Sequence, residues 1–499
     1  MQQNEIKSNN NSLLPYDFVR EKNIIAVESN NGCKIFSQEK VSVEIYHELA
    51  RYLNRDFALE ICDSEQFNQL LTKAFSTENN AGEFSDELNE SFDLKTFANS
   101  IAPTEDLLSG SDDVPIIKLI NGVISQAIKQ RASDIHFEPY ENQFIIRYRI
   151  DGILKEVLSQ DARIAPVIIS RLKIISRLDI SERRLPQDGR ISLSLGNKRV
   201  DVRVSTLPST YGERIVLRLL DKQSAQINIE NLGLEKNILQ NYKATLKASQ
   251  GIILVTGPTG SGKTTTLYAG LRYLSDSSQN ILTVEDPIEY TLKGVGQTQV
   301  NQKTGYDFAL GLRSMLRQDP DVVMVGEVRD QETARIAIQA SLTGHLVLST
   351  VHTNSAVGAI TRLRDMGIEP FLLSSSLKTI ISQRLARRLC QQCKVEHQLS
   401  SSMAKLFNIK KGTTVFKPKG CGQCDGTGYV GRIAVAESVQ IDAELKNMIH
   451  EQASEQAIAK YAFQHRLSID EAGQGLIISG ITSTEELIRI NNQKEDVSL

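Results

Sequence analysis

GPTGSGKTTTLYAGLRYL, residues 257 to 274, follows directly on the apolar run IILVT at 252 to 256. Gly257, Gly260, Gly262, Lys263 and Thr264 satisfy the pattern G-x-x-x-x-G-K-S/T, with Pro258, Thr259 and Ser261 between them and Thr265 behind. A strand before and a helix after are the context in which this pattern builds a phosphate-binding loop. The glycines let backbone N–H groups wrap phosphate oxygens, and Lys263 reaches the β and γ oxygens. Thr264 can ligate Mg²⁺, and the helix adds the positive end of its dipole. The stretch predicts an NTP-binding α/β domain.

Three further apolar strand candidates follow: ILTVE ending at Glu285, VVMVGE ending at Glu327, and LVLST after His345. A P-loop strand followed by repeated strands and helical stretches is a mostly parallel sheet, with its ligand crevice beyond the carboxyl ends of the strands. Glu285 and Glu327 each stand at such an end, so both are candidates to meet the γ-phosphate, its metal or the attacking water. One glutamate at a strand tip is commonly just exposed; two beside a P-loop carry the reading. GHLVLSTVHTN, residues 344 to 354, holds two of the chain's seven histidines. His345 and His352 are an odd number of residues apart across β-formers, which sends them to opposite faces of a strand and argues against a shared metal ion.

With 499 residues the chain is too long for one core, and two to four domains are expected. Lys plus Arg number 57 against 60 Asp plus Glu, so nothing marks a general nucleic-acid binder. No apolar stretch reaches the roughly 18 residues of a membrane helix, and the polar start MQQNEIKSNNNS lacks a signal-peptide core, so a cytoplasmic protein is expected. Residues 1 to about 12 read as disordered, 14 to 74 as a small α+β domain, and 75 to 113 as a linker rich in Ser, Asn, Asp, Glu and Gly. A helix then begins, capped by Asp112 or Asp113, with Pro115 in its first turn and Ile116, Leu119, Ile120 and Ile124 at helical spacing. FIIRYRI (144 to 150) and RVDVRVST (199 to 206) alternate as strands do, putting Arg147, Arg149, Arg199 and Arg203 opposite the apolar faces. For one arginine that is a solvated face; several on neighbouring strands leave an anion-binding role open.

Six cysteines include two C-x-x-C pairs, Cys390 with Cys393 and Cys421 with Cys424. Two such knuckles are the arrangement of a tetrahedral zinc site, and CGQCDGTG carries the glycines its turn requires. A redox dithiol needs one pair, not two. The spacing between the pairs suits a small inserted lobe.

These residues resemble those of the secretion ATPases of the type II/type IV pilus superfamily. GPTGSGKTTT is similar to its Walker A, TVEDPIEY to its acidic box, LRSMLRQDPDVVMVGEVRD to its Walker B with preceding arginines, and GHLVLSTVHTN to its His box. ASDIHFEP, RYRIDG and RVSTLPSTYGERIVLRLLD resemble the domain before the motor, and the tetracysteine lobe fits as well. The resemblance runs from about residue 112 to the C-terminus. It implies a RecA-like P-loop motor preceded by α+β domains: residues 1–100 docking on a membrane platform, 101–113 a linker, 114–232 an arginine-bearing sheet domain, and 233–499 the ATPase with a zinc lobe at 390–430. ATP, Mg²⁺ and Zn²⁺ are the implied cofactors.

In the same way, His345 and His352 are implied to sense the γ-phosphate, while Arg203, Arg218, Arg313, Arg317 and Arg329 fall at positions that neutralise phosphate charge, some across a subunit boundary of a homo-hexamer. Gly326 replaces the usual Walker B Asp, as in the family, leaving Glu327 the only acid there. Retraction motors of the superfamily generally lack both the tetracysteine lobe and an extra leading domain. LLPYDFVREKNIIAVE, residues 13 to 28, resembles the start of type II secretion ATPases, whose leading domain binds the cytosolic part of a bitopic inner-membrane protein beside a polytopic platform protein. The expectation is therefore a type II secretion ATPase, cytoplasmic and peripheral at the inner membrane, with a type IV pilus assembly ATPase second and a DNA-translocating motor remote.

Overall fold

The computed structural model describes residues 13–14, 18–19, 22, 24–29, 32–38, 41–53, 55–63, 67, 70, 98, 113–195, 198–220, 227–276 and 278–492. The start expected to be disordered, the expected linker apart from Ala98 and Asp113, and the Asp112 cap lie outside the described residues, as does the Arg199 side chain. The chain divides into two compact units, one of residues 1–129, 138–145 and 158–215, the other of 130–137, 146–157 and 216–499.

Near the start, β1 (Ile24–Ser29) pairs antiparallel with β2 (Gly32–Ser37), and β2 pairs parallel with β3 (Phe57–Ile61). A parallel pair needs a crossover, which helix Val43–Leu53 supplies. Ile25, Ile35 and Leu49 are buried at its centre. This is the small α+β module expected from the sequence.

Six strands build the next sheet: β4 (Ala132–Pro139), β5 (Gln143–Ile150), β6 (Ile153–Asp161), β7 (Gln187–Leu195), β8 (Lys198–Ser209) and β9 (Gly212–Leu220), in the order β6-β5-β4-β9-β8-β7. The alternation holds: Phe144, Ile146, Tyr148, Val202 and Val204 are fully buried, while Arg147, Arg149 and Arg203 are half-buried on the opposite face.

The motor sheet has seven strands. They are β10 (Gly251–Thr256), β11 (Ile281–Glu285), β12 (Gly296–Gln299), β13 (Val322–Val325), β14 (Leu346–Val351), β15 (Leu377–Leu389) and, after a short antiparallel pair β16 (Val395–Gln398) and β17 (Thr414–Lys417), β18 (Tyr429–Gln440). The order is β12-β11-β13-β14-β10-β15-β18, parallel throughout except where β18 runs antiparallel to β15. Leu254, Val284, Val323 and Val347 pack one face against Ile338 and Ile360, while Ile253, Val255, Leu348 and Ile381 pack the other against Tyr242, Leu267 and Leu271. Burial on both faces is why β10, β13 and β14 read as unbroken apolar runs. No such run marks β12, β15 or β18, which among them carry Gln, Thr, Arg and Glu.

The tetracysteine segment is inserted between β15 and β18, whose ends Leu389 and Tyr429 face each other in register. Its core residues Leu399, Ala404, Phe407 and Val415 pack with Ile469, Ile477, Leu487 and Ile490 of the last two helices. No described helix is long and apolar enough to cross a membrane.

Candidate nucleotide site and tetracysteine centre

The loop leaves β10, an interior strand between β14 and β15, at the carboxyl end where such folds bind ligands. Gly257, Gly260 and Gly262 have φ of 141°, 78° and 87°, a left-handed conformation that only glycine adopts without strain. Helix Lys263–Leu274 begins at Gly262. Thr259, Gly260 and Thr264 are exposed, Pro258 and Thr265 half-buried, and Ser261 buried with its Oγ unpaired among the described residues. Lys263 is buried and folds back, donating to the carbonyls of Gly257 at 2.9 Å and Pro258 at 3.1 Å. Burial brings its ammonium down to about 8, against the opposing charge of Glu327.

The two acids lie in different surroundings. Gly326 donates its N–H to the Val284 carbonyl at 2.8 Å, and Glu327 follows just past β13. Glu327 pairs with Arg329 and with His352 Nε2 at 3.4 Å. The His352 contact, joined by Arg329 and opposed by burial, holds the carboxyl down at about 2. Glu285 is sealed at the end of β11: Tyr268 donates its hydroxyl to Oε2, while Thr283 Oγ1 and Gln297 Nε2 donate to Oε1 at 2.6 and 3.0 Å. Both its oxygens are occupied by the protein.

His352 is brought to Glu327, and Lys263 lies near enough to feel the charge of that carboxylate. The loop carrying His352 is fastened to β10, because Thr353 donates its N–H to Thr256 Oγ1 at 3.0 Å. His345 is not brought there. It precedes β14, its carbonyl accepts from Gly251 at the start of β10, and its Nδ1 lies 2.9 Å from the Ala340 carbonyl. The whole length of β14, at about 3.3 Å per residue, separates it from the loop, so of the two histidines only His352 lies beside Glu327.

The arginines are scattered. Arg329 meets Glu327. Arg218 on β9 donates to buried Asp134 at 2.9 Å; burial works against its charge, but Asp134 and then Glu289 of the acidic box outweigh that. Arg313 is exposed and paired with Glu332, and exposed Arg317 donates to the Arg313 carbonyl at 3.0 Å. Arg203 faces Arg190 across β7 and β8 and makes no ion pair among the described residues.

Sequence reasoning missed the residues behind these. Tyr268, Thr283 and Gln297 around Glu285 carry no motif of their own. Gln383 on β15 is buried against the loop, and a buried amide must find partners, but nothing in the mixed sequence of β15 marks it out.

The four cysteine sulfurs of the lobe lie within 4.8 Å of one another. Cys390 to Cys421 and Cys393 to Cys424 are 3.8 Å, and Cys421 to Cys424 is 3.7 Å. A tetrahedron with Zn–S bonds of about 2.3 Å has edges of about 3.8 Å, so the set fits zinc. Burial disfavours a Cys424 thiolate, but the N–H groups of Cys421 and Gly428, each 3.1 Å from its sulfur, outweigh that and bring the thiol down to about 6.

Comparison with known proteins agrees with this geometry. Residues 109–489 match the family model described as Type II/IV secretion system protein, and residues 13–75 match the model of the leading domain of GSPII protein E. The chain is 46% identical over 484 residues to the type II secretion system protein E of Pseudomonas aeruginosa, covering 96% of each. It is 46% identical over 486 residues to the type II secretion system ATPase E of Vibrio cholerae, covering 96% of this chain and 97% of that one. Among solved structures it is similar to the pilus retraction motor PilT with bound ADP, at 27% identity and a TM-score of 0.51 over 74% of this chain and 96% of that one. The fold is shared with the ATPase DotB of Legionella pneumophila, at 21% identity and a TM-score of 0.57 over 75% of this chain and 96% of that one. With both its leading module and its motor matched in one chain, the protein belongs to the type II/IV secretion system protein family, among the type II secretion proteins E.

Proposed function

We propose that this chain hydrolyses ATP at the loop of residues 257–265 and that the work powers pseudopilus assembly in a type II secretion system. ATP hydrolysis coupled to protein secretion is the activity of its family. The observation that carries the site assignment is the contact of His352 with Glu327 beside the glycine-turned loop that buries Lys263, beyond the carboxyl ends of a parallel sheet.

The backbone N–H groups of the loop and Lys263 hold the phosphates, and Lys263 exchanges the Gly257 and Pro258 carbonyls for phosphate oxygens as it does so. Mg²⁺ held by Thr264 would neutralise charge on the β and γ oxygens. Glu327, kept ionised beside His352 and Arg329, orients the attacking water. Glu285, with its oxygens taken by Tyr268, Thr283 and Gln297, holds the acidic box in shape instead. His352 senses the γ-phosphate through Glu327. Arg203, Arg218, Arg313 and Arg317 supply phosphate charge neutralisation in a homo-hexamer, some from a neighbouring subunit.

Zinc held by Cys390, Cys393, Cys421 and Cys424 supplies folding energy to the lobe at 390–430. Residues 1–100 bind the cytosolic part of a bitopic inner-membrane protein, 101–113 link them to the sheet domain of 114–232, and the motor spans 233–499 and works against a polytopic platform protein. The chain is thereby cytoplasmic and held at the inner membrane by partners. Type IV pilus assembly is the second reading; near full-length similarity to type II secretion proteins favours the first. The test is turnover and secretion by Lys263→Ala and Glu327→Gln. Lys263→Ala loses hydrolysis, Glu327→Gln binds ATP without turning it over, and neither restores export to a strain lacking the protein. Normal hydrolysis by Glu327→Gln overturns the assignment of the water to that residue.

A further inference from the structure

The side chain of Gln383 is buried beneath the phosphate-binding loop and touches it on two sides. Its Nε2 donates to the Ser261 carbonyl at 2.8 Å, and its Oε1 accepts from the Thr266 hydroxyl at 2.8 Å. The amide's orientation is fixed chemically, since a carbonyl oxygen can only accept and must therefore meet the NH₂ end. One side chain thus joins the last turn of the loop to the first turn of the helix behind it. The glycines of the loop fit against the same residue. A Cβ on Gly262 would stand 3.2 Å from the side-chain Nε2 of Gln383, and one on Gly257 would stand 2.3 Å from its backbone carbonyl oxygen.

We infer that Gln383 is a positioning residue of the nucleotide site, setting the shape in which the loop receives the phosphates of a nucleoside di- or triphosphate. It touches no nucleotide itself; it acts through the Ser261 carbonyl, whose placement decides where the following N–H groups point. The inference rests on the nucleotide reading of the loop. A loop held in shape serves substrate, transition state and product alike, so its loss weakens binding more than it slows the bound complex.

The experiment uses the full chain with Mg²⁺ and the fluorescent nucleotide mant-ADP. Gln383→Met keeps the size and removes both polar atoms. It leaves the Ser261 carbonyl and the Thr266 hydroxyl unpaired, so Kd for mant-ADP and KM for ATP rise roughly tenfold while kcat stays within about twofold. Gln383→Glu gives a second and independent arm. As a carboxylate it cannot donate to Ser261, but a buried carboxyl regains its proton readily and then offers an O–H in the same place. The ratio of its Kd to that of the unchanged protein therefore shrinks as pH falls from about 9 to about 6.5. Residue packing alone gives a ratio that does not move with pH. Binding by Gln383→Met within twofold of the unchanged protein, or a flat ratio for Gln383→Glu, overturns the inference. If Gln383→Met does not fold, the pH arm decides. An unchanged protein that fails to bind mant-ADP overturns the nucleotide reading of the loop, and this inference with it.

Discussion

His352 presents Nε2 to Oε2 of Glu327 at 3.4 Å, and this contact is the strongest of the influences on that carboxylate. With the Glu327 carboxyl held at about 2, its contribution to stability is complete above the ordinary carboxyl range and is lost only as pH falls toward 2. His352→Ala leaves burial opposed by Arg329 alone, so the acid limb of kcat moves up by about one pH unit or more. A pH–rate profile of the two proteins measures it. An unmoved limb in the variant refutes the coupling.

Lys263 is depressed to about 8 by burial. Between about 8 and the ordinary 10.5 the unfolded chain binds more protons there than the folded one, so this group makes the unliganded protein more stable as pH rises through that window. Phosphate reverses the preference and draws a proton on. Nucleotide binding near pH 8 should take up about half a proton at Lys263 and weaken as pH climbs. Calorimetric titration in two buffers of different ionisation heat reads the uptake, and Lys263→Ala should abolish it.

Glu285→Gln would place an NH₂ group among three donors, those of Tyr268, Thr283 and Gln297. The expected loss is about 1–3 kcal/mol of stability, with turnover falling as a consequence. Glu327→Gln, by contrast, stops turnover outright, beyond any loss from its missing ion pairs with Arg329 and His352. If Glu285→Gln melts normally and still blocks hydrolysis, the water-orienting role belongs to Glu285.

Replacing Cys390 or Cys421 by Ser should release about one zinc per chain and loosen residues 390–430, because a structural metal supplies folding energy to a small module. Hydrolysis should survive in part, since no cysteine takes part in phosphoryl transfer. Elemental analysis that finds no zinc in the unchanged protein ends this reading.

A chain beginning at Asp113 should keep ATPase activity and lose membrane association in cells, if the leading module has the anchoring role proposed for it and contributes nothing to the chemistry. Fractionation of the two chains is the measurement. Equal sedimentation with inner membranes would move the anchoring role into the motor.

The loop, Glu327 and the tetracysteine lobe were legible because their chemistry is local: each needs particular residue types at fixed spacing in a short stretch. The strands buried on both faces were legible for the same reason. Glu285 was found but not its role, since Tyr268 and Gln297 reach it from 17 and 12 residues away and no spacing announces them. Gln383 lies 122 residues beyond Ser261, and only the parallel pairing of β10 with β15 brings them together. His345 and His352 share a motif but stand apart, because a motif gives residue order, whereas the ends of a parallel strand face opposite edges of the sheet.

Leu389 and Tyr429 face each other across an antiparallel pair, so the tetracysteine lobe enters and leaves the motor through one doorway. A two-residue turn can span such a gap, and a hairpin there would leave the strand order of the sheet intact. The lobe is therefore separable in topology, and an ancestor could gain or shed it without rewiring the fold. It is not separable in energy, because its removal would bare Ile469, Ile477, Leu487 and Ile490 to water. Any relative without the lobe has to carry polar residues, or another cover, at those four positions.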